Sequence, residues 1–153
     1  LSEDFVDAGK VLQYSMERMD DLKIFPDIIV YLEITFPFRT KQLIDDMVIQ
    51  LVKNGFDSVL SVRKESRSLW REEDGKIERI DKGDIPRKYK EPCFVGIKGL
   101  CCVTHPEFIR EGSLLGSRIG VYEVNNPYSS IEVRGEEEVK MAEMLIGSWT
   151  KNV

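Results

Sequence analysis

Arg39 closes a short loop, Thr35-Phe36-Pro37-Phe38-Arg39, that follows an apolar run and precedes a helical stripe. A guanidinium placed there can take a carboxylate or a phosphate in its two-pronged fork. In open α/β sheets, ligands gather at the carboxyl ends of the parallel strands. The same residues also make ordinary turn chemistry followed by a helix cap. A second group, Lys82, Arg87, Lys88 and Lys90, lies in a polar stretch and reads on its own as a solvated surface. Cys93, Cys101, Cys102 and His105 carry metal-binding atoms. However, Cys101 and Cys102 are adjacent in an extended-looking run, so their side chains point to opposite faces and do not easily share one ion. They read as buried structural cysteines. Their odd number and apolar surroundings fit a reducing, cytoplasmic setting.

The elements that must position these residues follow from periodicity. Ile28-Ile29-Val30-Tyr31-Leu32 is β-branched and does not alternate, which predicts a strand covered on both faces, as in a parallel sheet. Upstream, Phe5, Ala8, Val11, Leu12, Ser15, Met16 and Met19 recur at three- and four-residue steps, predicting a helix from a Ser2 cap to about Met19. Downstream, Leu43, Ile44, Met47, Val48, Leu51 and Val52 form a second helical stripe, capped at Thr40 and stopped at Asn54-Gly55. Ser58-Val59-Leu60-Ser61-Val62 reads as another buried strand. Strand, helix and strand with short connections make a βαβ unit, whose two strands are expected to run parallel.

Glu73-Asp74-Gly75 predicts a hairpin, and residues 81–92, with Pro86 and Pro92, an exposed loop. Residues 94–104 read as one apolar strand in which Gly96 and Gly99 permit close backbone approach. A short helix from His105 follows, with Thr104 as its cap and Pro106 in its first turn. Strands over 119–124 and 130–133 and an amphipathic helix over 136–146 complete the chain. The fold class is α/β, a mostly parallel Rossmann-like sheet with a β-hairpin excursion. The chain is read as one domain over residues 1–153, with a hairpin and loop insertion at about 64–92.

At 153 residues the chain can bury a real core. It is 42% hydrophobic and 32% charged, the mix of a soluble globular protein. The net charge of −5, with cations spread among acids, argues against a basic face for nucleic acid but leaves room for a local basic pocket. No apolar run approaches the ~20 residues that cross a bilayer, and there is no signal-peptide pattern.

Leu32-Glu33-Ile34-Thr35-Phe36-Pro37-Phe38-Arg39 resembles the "LQPTSPLR" motif of the CMP-sugar cytidylyltransferases, the enzymes that activate acylneuraminate and related sugar acids. Leu32, Thr35, Pro37 and Arg39 match, and Glu33 stands where that family has Gln. The resemblance continues in order. Asp57-Ser58-Val59-Leu60-Ser61-Val62 is similar to "DSVxSV", Asp74-Gly75-Lys76 to "DGK" and Lys82-Gly83-Asp84-Ile85-Pro86 to "RQDLP". Gly99 to Thr104 falls at "NGAxYxT", Gly112-Ser113-Leu114-Leu115-Gly116 at "GSLxG", and Gly120-Val121-Tyr122-Glu123-Val124 at "GxYEM". Ile131-Glu132-Val133-Arg134, with Glu138, Ala142 and Glu143, falls on the acidic tail.

The resemblance implies a nucleotide-diphospho-sugar transferase-type sheet, and an activity that transfers CMP from CTP to an acidic, sialic-acid-like sugar with release of pyrophosphate. It places Glu33, Thr35 and Arg39 at the rim where sugar meets nucleotide, with Lys82 and Lys98 as further holders of the acidic sugar. It names no catalytic residue. It implies Mg²⁺, with Glu132 as a ligand, although Arg134 stands where the second acid belongs and has no lone pair to offer. It also implies a homodimer contact through the hairpin and loop region, for which Trp70, Ile77 and Ile80 are candidates; a local core contact is the alternative reading of these three residues. The family's Gly-rich, basic nucleotide loop has no counterpart here, and the chain opens at Leu1 without Met. The expectation is therefore the carboxy-terminal part of a longer enzyme that does not hold CTP tightly by itself. The alternative is a non-catalytic binding or assembly module that kept the fold and lost the metal site.

Overall fold

The structure, a computed structural model, describes residues 8–150 apart from residues 82 and 92. Helix α1 (Ala8–Asp21) sends Met16 into the interior; its expected Ser2 cap lies outside the described residues. Strand β1 (Ile29–Tyr31), helix α2 (Leu43–Asn54) and strand β2 (Ser58–Glu65) then follow in the anticipated order. Leu43, Met47 and Leu51, one turn apart on α2, are fully buried against a core that includes Val59 and Val103. Burying side chains of this size stabilises the fold by about 1.5–3 kcal/mol each. Gly55 stops the helix with φ 61, a left-handed turn that glycine takes without strain. The start of α2 departs from expectation. The helix begins after Gln42 with no side-chain cap, and Thr40 offers only its carbonyl, to Leu43 N at 3.2 Å.

The sheet is completed by β5 (Cys93–Gly96), β6 (Cys102–Thr104) and β7 (Ile119–Glu123). Strand β6 lies between β1 and β2 and pairs antiparallel with both, so β1 and β2 run in the same direction. Strand β7 runs parallel to β2 along its other edge. Three of the five strands thus share one direction, and the α/β class holds. The two strands of the βαβ unit run in the same direction as expected but are not neighbours, because β6, which comes later in the sequence, is inserted between them. With β6 as its only strand partner among the described residues, β1 is half-buried rather than covered on both faces.

The apolar run 94–104 is not one strand. Both β5 and β6 pair antiparallel with β2, β5 against Val62 to Glu65 and β6 against Ser58 to Leu60, and residues 97–101 loop out between them. Ser61 faces the gap and closes both ends. Its N–H donates to Cys101 O at 3.1 Å, its carbonyl accepts from Ile97 N at 2.8 Å, and its hydroxyl lies 2.6 Å from Ile97 O and 2.8 Å from Cys101 O. Cys101 and Cys102 are fully buried and Cys93 half-buried, all as free thiols.

Strands β3 (Trp70–Glu73) and β4 (Lys76–Arg79) form the hairpin, with Asp74 and Gly75 both at positive φ as a tight two-residue turn requires. The loop that follows is less exposed than its composition suggests. Asp81 accepts from Arg79 Nε at 2.9 Å and from Lys90, and the Asp81 and Lys90 side chains are nearly buried, so Lys90 is not part of a solvated surface.

Helix α3 (Pro106–Arg110) starts after His105, not after Thr104. Thr104 belongs to β6, and its hydroxyl lies 2.8 Å from Ser58 Oγ. The strand expected at 130–133 does not form: a 3₁₀ turn, Pro127–Ser130, opened by Pro127 and capped by Asn126, whose side chain accepts from Tyr128 N at 3.0 Å, runs into irregular chain at 131–134. Helix α4 (Glu136–Trp149) carries three glutamates in its first turn, where the dipole favours them. Among the described residues no helix is long and apolar enough to cross a membrane.

Candidate functional site

Phe36 and Phe38 anchor the loop after β1. Phe36 enters the main core. Phe38 is 2% exposed and packs edge-on against Trp149 of α4, with ring centroids 5.6 Å apart, and near Tyr128 at 5.9 Å. Ser129 Oγ donates to Phe38 O at 2.8 Å, and Val133 N donates to Thr35 O at 2.7 Å, so the tail of the chain straps the loop from above. Ile34, just before these anchors, is 97% exposed.

Held this way, the loop presents Glu33 to a cleft of about 310 Å³ at the carboxyl end of β1. Five charged side chains line it: Glu33, Arg63 of β2, Lys98 of the 97–101 excursion, and Glu132 and Arg134 of the tail. Three cations against two carboxylates leave one net positive charge in a chain whose total is −5. That local inversion of sign suits a small anion.

Glu33 is tightly placed. Its N–H donates to Gly99 O at 2.7 Å, Tyr31 Oη donates to its Oε1 at 2.8 Å, and Thr35 Oγ1 to its Oε2 at 3.4 Å. Burial, reinforced by the bond to the Glu33 carboxylate, pushes the Tyr31 hydroxyl up to about 12. Gly99 is required here on steric grounds. A Cβ at this position would lie 2.6 Å from Glu33 Cδ and 2.7 Å from Phe36 Cε2.

The sequence-derived candidates divide into groups. Glu33, Lys98 and Glu132 line the cleft together. Thr35 does not line it and acts through Glu33. Arg39 faces main-chain carbonyls instead: Nε donates to Leu100 O at 2.8 Å, and Nη2 donates to Gly99 O at 3.1 Å and to Glu33 O. Burial lowers the pKa of this guanidinium. In this arrangement Arg39 clamps the excursion to the loop. Lys82 lies outside the described residues. Arg63 was not singled out from the sequence. The apolar run of β2 ends at Val62, but its strand pairing continues to Glu65, and the side chain just past the apolar run is the one that reaches the cleft.

Magnesium fits this donor set poorly. The Glu132 carboxylate is engaged by Arg134, whose Nε donates to Oε1 at 2.6 Å, and the same guanidinium reaches Glu33 at 4.0 Å. The contact with Glu132 raises the Arg134 pKa, so the cation is fixed at any physiological pH. Among the described residues no three acidic, histidine or cysteine side chains converge as a metal cluster. Two carboxylates already sharing a guanidinium offer a hard divalent ion no free set of oxygens.

Several motifs identified in the sequence prove to be scaffold. Asp57 Oδ2 accepts from Ser117 N at 2.9 Å and from Arg118 N at 2.8 Å, and Ser58 Oγ accepts from Gly116 N at 2.9 Å, fastening the loop before β7 to the start of β2. Tyr122 Oη donates to Asp46 at 2.9 Å, tying β7 to α2.

No protein-family model matches the chain, and no curated protein matches it by sequence. Solved structures do match it in fold. One is the crystal structure of 4-diphosphocytidyl-2C-methyl-D-erythritol synthase from Anaerococcus prevotii, at a TM-score of 0.59 and 13% identity. The match covers 85% of this chain and 64% of that one, so this chain spans less than two thirds of the length of the protein it resembles. The likeness establishes a shared mixed α/β fold.

Proposed function

We propose that this chain is part of a nucleotidyltransferase that transfers CMP from CTP to an acidic, sialic-acid-like sugar. A sugar hydroxyl attacks the α-phosphate, the bond to the β-phosphate oxygen breaks, and pyrophosphate and the hydroxyl proton leave. The observation that carries this reading is the cleft: a net positive pocket, at the carboxyl end of β1, in an acidic chain. The similar fold of a solved protein named for a diphosphocytidyl product supports the nucleotide half. In this reading Arg63 and Lys98 hold the sugar's carboxylate, and Glu33, kept in place by Tyr31 and Thr35, takes its hydroxyls. Catalysis is then mainly positioning and charge stabilisation. The exposed Trp70, Ile77 and Ile80 of the hairpin region would meet a second copy of the chain.

The test is pyrophosphate release by the full-length protein from CTP with N-acetylneuraminate, set against CTP with the neutral N-acetylmannosamine. Release with the acidic sugar alone is expected, and Arg63→Ala or Lys98→Ala should each lower it by about tenfold or more, the loss of one charge-assisted contact. Equal release with the neutral sugar would refute the acidic-sugar assignment. A second reading, a binding or assembly module without catalysis, is favoured by one observation, the Arg134 guanidinium lying across the acid pair. It predicts binding of the acidic sugar with no pyrophosphate released.

A further inference from the structure

We infer that Arg134 is the resident cation of the cleft, occupying the position between Glu33 and Glu132 that a divalent ion would need. One nitrogen, Nη2, lies within ion-pair reach of both carboxylates, at 4.0 Å from Glu33 and in contact with Glu132. Nε adds a second bond to Glu132 at 2.6 Å. Glu132 and Arg134 stand two residues apart, on a segment tied to the candidate loop through Val133 N and Thr35 O. Tyr31 and Thr35 hold the Glu33 carboxylate from the side of its own loop.

The consequence is electrostatic. Without Arg134 the remaining lining charges, Arg63 and Lys98 against Glu33 and Glu132, cancel. Arg134 is thus one of three cations whose loss takes the lining charge to zero, and the one that lies against both carboxylates. A metal ion would supply the same neutralisation, but the two cannot coexist, because a guanidinium within about 4 Å repels a doubly charged ion and shares the oxygens that the ion needs. The Arg134 side chain is 69% exposed, so the pair contributes little to folding. Its effect is on what the cleft can bind. This inference does not depend on which sugar or nucleotide is used.

Manganese chloride titrated into the full-length protein, with free Mn²⁺ followed by electron paramagnetic resonance, tests it directly. The wild type and Arg134→Lys are expected to show no saturable binding dependent on Glu132. Arg134→Gln should bind one Mn²⁺ at least about tenfold more tightly, since it removes one unit of opposing charge a few ångströms away. That gain should vanish when Glu132→Gln is added. Thermal unfolding checks that each variant is folded, and Arg134→Ala serves in place of the glutamine variant if that one is not. Saturable Mn²⁺ binding by the wild type that Glu132→Gln abolishes would overturn the inference. A folded Arg134→Gln or Arg134→Ala with no gain would overturn it equally.

Discussion

Replacing Arg39 by methionine separates a structural clamp from a ligand-binding group. The methionine keeps the apolar stem and removes the guanidinium, which bonds the carbonyls of Glu33, Gly99 and Leu100. A hydrogen bond to a charged donor contributes about 1.5–3 kcal/mol where the acceptor is otherwise left dry. The Arg39 position is only partly buried, so water replaces some of what is lost, and the three bonds together are worth about 2–4 kcal/mol. For a chain of this size each kcal/mol moves Tm by about 2–4 °C, so the variant should melt about 5–15 °C lower. Arg39→Lys should recover less than half of that, since one ammonium cannot span three carbonyls in the way a planar fork does. Differential scanning calorimetry at fixed pH reads both variants. A Tm within about 2 °C of wild type, combined with loss of acidic-sugar binding, would show that Arg39 serves the ligand and that the clamp is incidental.

Two further outcomes are expected. Bonds from Arg67, both side-chain and main-chain, hold the Glu65 carboxyl at about 2 against an ordinary 4.5. Its contribution is therefore complete above pH 4.5 and is lost as pH falls toward 2, so the Tm advantage of wild type over Glu65→Gln should shrink through that window; an advantage unchanged between about pH 6 and about pH 2.5 would contradict this. Burial pushes Cys101 up to about 11 and Cys102 up to about 12. A thiol reagent at neutral pH should therefore label Cys93 alone in the native protein and all three cysteines after unfolding; rapid native labelling of more than one would mean that this core opens readily.

Elements whose signals are local were legible in the sequence. The stripe Leu43, Met47, Leu51 and the stop at Gly55 define α2 without reference to anything distant, and Asp74-Gly75 specifies a hairpin turn by its own backbone freedom. Pairing was less legible. Nothing near residues 28–62 announces that β6 will enter between β1 and β2, because that contact is long-range. The run 94–104 is apolar throughout, and its division depends on Ser61 across the sheet, not on a breaker within it. Thr104 looks like a cap until Ser58 is seen to satisfy it. The candidate site divides in the same way. Glu33, Lys98 and Glu132 line one cleft. The fork of Arg39 suits a carboxylate or phosphate, but its nearest acceptors are peptide carbonyls. Arg63 is illegible in the sequence because an isolated arginine after an apolar strand has no motif around it.

The excursion at 97–101 has a consequence for how such a chain can change. Because Ser61 ties its two ends together and Arg39 holds its carbonyls, the pairing of β5 and β6 with β2 does not depend on which side chain residue 98 carries. A lysine there can become another residue while the core above and below stays in register. Recognition and foldability are thus written in different residues, and a lineage could retune what it binds without first becoming unstable.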